Sequence, residues 1–139
     1  MYKKTENVNS KTIKGKSYKE MIKHKSQFLK MNTGIDTDSL ESIQKFMYYN
    51  VKDITTSQLR NIYNLVLDVK RDGNYSLLSL KRIKLAYIAG RTDKSGLKKL
   101  IEFLDVLFQE VNSDKNKFES LRAFSEALVA YHKYYSLKF

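Results

Sequence analysis

The chain has 139 residues, a formal net charge of +11 and a pI near 9.7. Without cysteine it has no disulfide framework, thiolate nucleophile or zinc ribbon, and its apolar runs are too short and too interrupted by charge for a transmembrane helix. A field of this sign attracts polyanions, chiefly nucleic acid or an anionic membrane surface. The start, Met1-Tyr2-Lys3-Lys4, lacks an apolar signal core, so a cytoplasmic protein without a membrane partner is expected. The length fits one domain with a full hydrophobic core. Proline is absent, glycines fall at or near segment edges, and no stretch alternates with period two. The chain reads as all-α, a compact antiparallel bundle of about five helices with a basic N-terminal arm.

The charge is uneven. Residues 1–33 hold nine lysines against Glu6 and Glu20, a net +7, leaving +4 for the rest. Within residues 17–31, Ser17 and Glu20 have capping-box spacing, but Tyr18, Met21, Ile22 and Leu29 make only a thin stripe among lysines. Residues 1–37 are therefore expected to be an arm, mobile or marginally helical, with the helical bundle spanning 38–139. Asp38 with Glu41 opens the next predicted helix, whose inner face is Leu40, Ile43, Phe46 and Met47.

The following segment, 56–70, carries the fullest start signal. Thr55 and Gln58 have capping-box spacing, and Leu59, Ile62, Tyr63 and Val66 follow at helical intervals. Ser57, Arg60, Asn61 and Asn64 are left facing outward. Helix starts present unpaired amides and partial positive charge, so hydroxyls and a guanidinium there can seat a phosphate. Residues 76–89 place Leu77, Leu80, Ile83 and Tyr87 on one side with Leu78, Leu85 and Ile88 beside them, and are expected to form the most buried helix. Gly90 suits a left-handed cap. The next segment is cleanly amphipathic, with Leu97, Leu100, Ile101, Leu104, Leu107, Phe108 and Val111 inside. The last, from Asp114, buries Phe118, Leu121, Leu128, Tyr131 and Tyr135, and can pair Arg122 with Glu126 across one turn.

Catalytic patterns are missing. His24 and His132 lie in different segments, no helix pairs carboxylates with a histidine, and there is neither a Walker loop nor a nucleophile elbow. No cofactor, metal or catalytic residue is expected. Binding has more support. If the helices starting near 56 and 76 are antiparallel neighbours, Lys52, Ser57 and Arg60 come close to Lys84 and Arg91. Cations, hydroxyls and helix-end amides suit backbone recognition better than base reading. Tyr63, Tyr87, Tyr131 and Tyr135 read as core rather than as stacking platforms.

Three segments, 52–60 (KDITTSQLR), 84–91 (KLAYIAGR) and 126–134 (EALVAYHKY), stand in the order found in the small subunit of the type III-A CRISPR effector, the Csm complex. The chain resembles that family over roughly residues 38–136. Ile88 departs from the pattern, where an acidic residue is commoner. The resemblance implies a non-catalytic subunit whose copies stack beside the crRNA-carrying subunits along the guide–target RNA duplex. The implied partners are crRNA, target RNA, other Csm subunits and neighbouring copies of itself. Candidate contacts are Lys52, Thr56, Ser57, Gln58, Arg60, Lys81, Lys84, Arg91 and Lys133. A small helical DNA-binding regulator is the alternative. It would need an exposed recognition helix.

Overall fold

A computed structural model of the protein describes residues 10–137, and every regular element among them is helical. Seven α-helices follow in order: α1 (Ser10–Lys23), α2 (Lys25–Phe28), α3 (Thr37–Asn50), α4 (Thr56–Asp72), α5 (Leu78–Gly90), α6 (Ser95–Val111) and α7 (Lys115–Ser136). Single 3₁₀ turns lead into or out of them at Met31–Thr33, Val51–Asp53 and Tyr75–Leu77.

Side-chain pairs fix the directions of packing. Lys14 reaches Asp53 at 3.1 Å, Tyr18 lies 6.2 Å from Phe46, and His24 Nδ1 is 2.9 Å from Ser39 Oγ, so α1 and α3 run antiparallel. Lys70–Glu119 at 3.2 Å and Thr56–His132 at 3.2 Å make α4 and α7 antiparallel as well. By contrast, Gln44 bonds Tyr131 at 3.2 Å while Tyr48 and Tyr135 meet edge to face at 5.3 Å, so α3 and α7 run parallel. The short 51–55 link would ordinarily place α3 and α4 side by side. Instead α7, the longest helix, packs against both.

Residues 10–37 reach into the core. Met21, Phe28 and Leu29 are buried with Phe46, Leu104, Leu121 and Phe124. Phe28 forms an aromatic triangle with Phe124 at 4.7 Å and Phe103 at 6.0 Å. A segment that reads as a lysine-rich arm thus contributes a complete aromatic side chain to the centre. Residues 1–9 of the expected arm lie outside the described residues.

Local starts and stops differ from the sequence reading in three places. Ser17 is no cap: α1 begins at Ser10, and the buried Ser17 hydroxyl donates to the Lys14 carbonyl at 2.8 Å. The cap of α3 is Asp36, not Asp38, because Asp36 Oδ1 accepts from the Ser39 amide at 2.7 Å. Gly90 is the last helical residue rather than a left-handed cap, and Arg91 closes α5 in right-handed geometry. Elsewhere the signals hold. Gly73 ends α4 at φ 73°, Asp114 caps α7 through the Lys117 amide, and the whole expected apolar face of α6 is buried.

The expectation that α5 is the most buried helix is overturned. Only Leu78 and Leu85 are buried along it, while Leu80, Ile83 and Tyr87 are 60%, 69% and 64% exposed. Apolar residues occur on nearly every side of α5, so their periodicity does not select a face. The rotation is held by Arg82, whose Nε and Nη2 donate to the Asp105 carboxylate at 2.7 and 3.0 Å. That two-pronged bond turns Arg82 and Leu85 toward α6 and sends Leu80, Ile83 and Tyr87 outward.

Candidate nucleic-acid interface

The start of α4 is built by its own sequence. Thr55 Oγ1 accepts from the Gln58 amide at 3.0 Å, and Gln58 Oε1 accepts from the Thr55 amide at 2.9 Å. This reciprocal box satisfies two amides and leaves those of Thr56 and Ser57 at the helix end, where the positive end of the helix dipole lies. Ser57 is exposed, and Arg60 projects from the first turn into solvent.

Tertiary contacts hold that helix start in place. His132, 3% exposed, places Nε2 2.5 Å from the Ile54 carbonyl oxygen and 3.2 Å from that of Val51. Carbonyls require a donor, so Nε2 carries the proton and Nδ1 accepts from the Thr56 hydroxyl at 3.2 Å. The Thr56 hydroxyl is therefore engaged inside the protein, and the Gln58 carbonyl oxygen in the box. Asp53 performs a similar task one turn earlier: Oδ2 accepts from the Gly96 amide at 3.1 Å, and Oδ1 meets Lys14 Nζ. Gly96 is required there, since a Cβ would lie 2.5 Å from Asn50 Oδ1 and 2.8 Å from Asp53 Oδ2.

These contacts define one end of the bundle. The start of α4 meets the end of α7 through His132, and the start of α6 through Asp53 and Gly96. The end of α5 lies beside the start of α6, where Gly90 and Lys98 line one groove. Lys52, Thr56, Ser57, Gln58, Arg91 and Lys133 therefore share this end. Arg60 and Lys84 lie within two turns of it, and Lys81 stands a further three residues back along α5 and is half-buried.

Part of the positive charge is neutralised within the protein. Lys14, Lys23, Lys25, Lys70, Arg71, Arg82 and Arg122 are tied to carboxylates. Hydrogen bonding to Asp105 raises the pKa of Arg82, and the bond to Glu119 raises that of Arg122. Arg60, Lys81, Lys84, Arg91 and Lys133 form no ion pair with a described residue. Arg91 instead packs over the Tyr87 ring, 5.5 Å from its centroid, and donates to the Tyr87 hydroxyl at 3.1 Å. Among the described residues no group of three His, Asp or Glu could hold a metal ion, and no helix is long and apolar enough to cross a membrane.

Residues 40–138 match the model of the family described as Csm2 Type III-A. The chain belongs to the Csm2 type III-A family. It is a small subunit of the Csm effector complex of type III-A CRISPR systems, and it associates with other Csm subunits. Comparison with curated proteins and with solved structures gives no match. The Csm2 match covers every candidate contact and α4 to α7, while α1 and α2 precede it.

Sequence reasoning missed His132 and Asp53 as organisers of this end. Each acts on groups far along the chain, and neither shows a local pattern. The signal available for His132 was its place beside tyrosines on a buried face. Its partners appear only once α7 meets α4.

Proposed function

We propose that this Csm2-family subunit is a non-catalytic RNA-binding protein whose copies stack along the guide–target RNA duplex and grip its sugar-phosphate backbone. The observation that carries the reading is the gathering of Lys52, Ser57, Arg60, Arg91 and Lys133 at the end where α4 starts. The positive end of the α4 dipole lies there too. Lys84 and Lys81 extend this basic surface along α5. Thr56 and Gln58 contribute through backbone amide and box geometry, since their hydroxyl and carbonyl oxygens are already bonded.

Phosphate contacts of this kind position a strand and carry no sequence information. A few per copy suffice when copies repeat along one strand, because each added copy raises avidity. The test measures binding of the purified chain to an RNA duplex and to double-stranded DNA of the same sequence over a salt series. Salt-dependent, sequence-independent preference for the RNA duplex is expected. Equal or tighter binding to the DNA would overturn the reading in favour of a DNA-binding regulator. The protein should also co-purify with guide RNA and larger subunits.

A further inference from the structure

Tyr87 occupies an unusual position for a tyrosine at core spacing. It is 64% exposed on α5, with Lys84 three residues before it and Arg91 four residues after it. That spacing places all three on one helix face. The Arg91 guanidinium lies over one side of the ring and is hydrogen-bonded to its hydroxyl, which ties ring and cation together. Residues 74–92 contain no Asp or Glu, and the charge of Arg82 is neutralised by Asp105. The face therefore offers an open aromatic surface between two unneutralised cations about 10 Å apart along the helix axis.

From this arrangement we infer that Tyr87 is a stacking platform for an unpaired nucleobase of RNA, with Lys84 and Arg91 holding the phosphates on either side of that nucleotide. The inference rests on the backbone-binding reading above and adds to it a contact with a base. A nucleotide supplies a flat π-face with a negative charge on each side, which is the complement of this cation–aromatic–cation row. Stacking needs no hydrogen-bond readout, so the contact tolerates any base. Ile83 and Leu80 continue the apolar stripe away from Arg91. The cations on either side of the ring favour a polyanion over an apolar protein surface.

The experiment uses the full chain and a short RNA duplex carrying one unpaired 2-aminopurine, with the fully paired duplex beside it. The wild-type protein and Tyr87→Phe should quench 2-aminopurine fluorescence. Tyr87→Leu keeps the surface apolar, and its exposed site leaves folding intact, as a thermal melt would verify. This variant should lose the quenching and about tenfold in affinity for the unpaired-base probe, a clearly larger loss than for the paired duplex, where only the support of Arg91 is removed. Retained quenching in Tyr87→Leu would overturn the proposal. Arg60-dependent binding of the paired duplex with no quenching in the wild type would remove the stacking and leave backbone binding standing; binding to neither RNA would remove both. If Tyr87→Leu binds both RNAs normally but fails to join the assembled complex, the face docks protein and the stacking proposal falls.

Discussion

His132 Nε2 donates to the Ile54 carbonyl oxygen across 78 residues of chain, and its other ring nitrogen accepts from Thr56. One imidazole thus fixes the last turns of α7 against the link into α4. It bonds the residues on either side of the Thr55 cap and thereby sets where the amides of the helix start point.

Replacing it should damage both stability and binding. His132→Ala leaves two carbonyls and a hydroxyl without their partner in a buried site, a loss of about 2–4 kcal/mol. The urea midpoint should fall accordingly, and RNA affinity should fall even at temperatures where the variant is folded. An unchanged midpoint would show that the imidazole contributes nothing to the joint.

Arg60→Ala tests the surface itself. Arg60 is exposed and forms no ion pair with a described residue, so its loss should leave the melt within about 0.5 kcal/mol of wild type. Binding to RNA should weaken about equally for different sequences, and the slope of log K against log salt should shrink by about one unit. A loss confined to one sequence would mean that Arg60 reads a base.

Gly96→Ala probes the contact between the Val51–Asp53 turn and α6. The added Cβ would collide with Asn50 and Asp53, whose side chains are held by the Phe46 carbonyl and by Lys14. Neither can retreat without breaking a bond. Destabilisation of about 1–3 kcal/mol is expected, although alanine normally favours a helix. A neutral or stabilising result in a urea titration would refute this packing.

Phe28→Ala distinguishes a core segment from an appended arm. The ring is fully buried against Phe103 and Phe124, so truncation should cost about 3–5 kcal/mol. Were residues 10–37 only an arm, the thermal midpoint would hardly move.

Asp36 gives a pH prediction with a definite sign. The Ser39 amide, then the Ser39 hydroxyl, donate to its carboxylate and hold the pKa below the usual aspartate value. A depressed folded-state pKa stabilises the protein above the unfolded value near 3.9, and this is lost as pH falls through the lower folded value. Asp36→Asn keeps a capping oxygen but cannot ionise. Between pH 5 and pH 2 the variant should therefore lose less stability than the wild type, measured as the shift in urea midpoint.

The sequence by itself determined whatever depends on neighbours within a turn or two. The Thr55–Gln58 box and the single apolar face of α6 each follow from residues three or four positions apart, and such patterns survive in any fold that keeps the helix. The cations of the candidate interface were legible because charge and exposure go together. Tertiary structure decided the rest. Met21 and Phe28 became core because α3, α6 and α7 leave an apolar space that a thin stripe can fill. The two-pronged bond from Arg82 to Asp105, formed across 23 residues, chose which side of an all-round apolar α5 faces water. That choice put Tyr87 outside beside Arg91. No periodicity within α5 carries this information, since the partner that fixes its rotation lies on another helix.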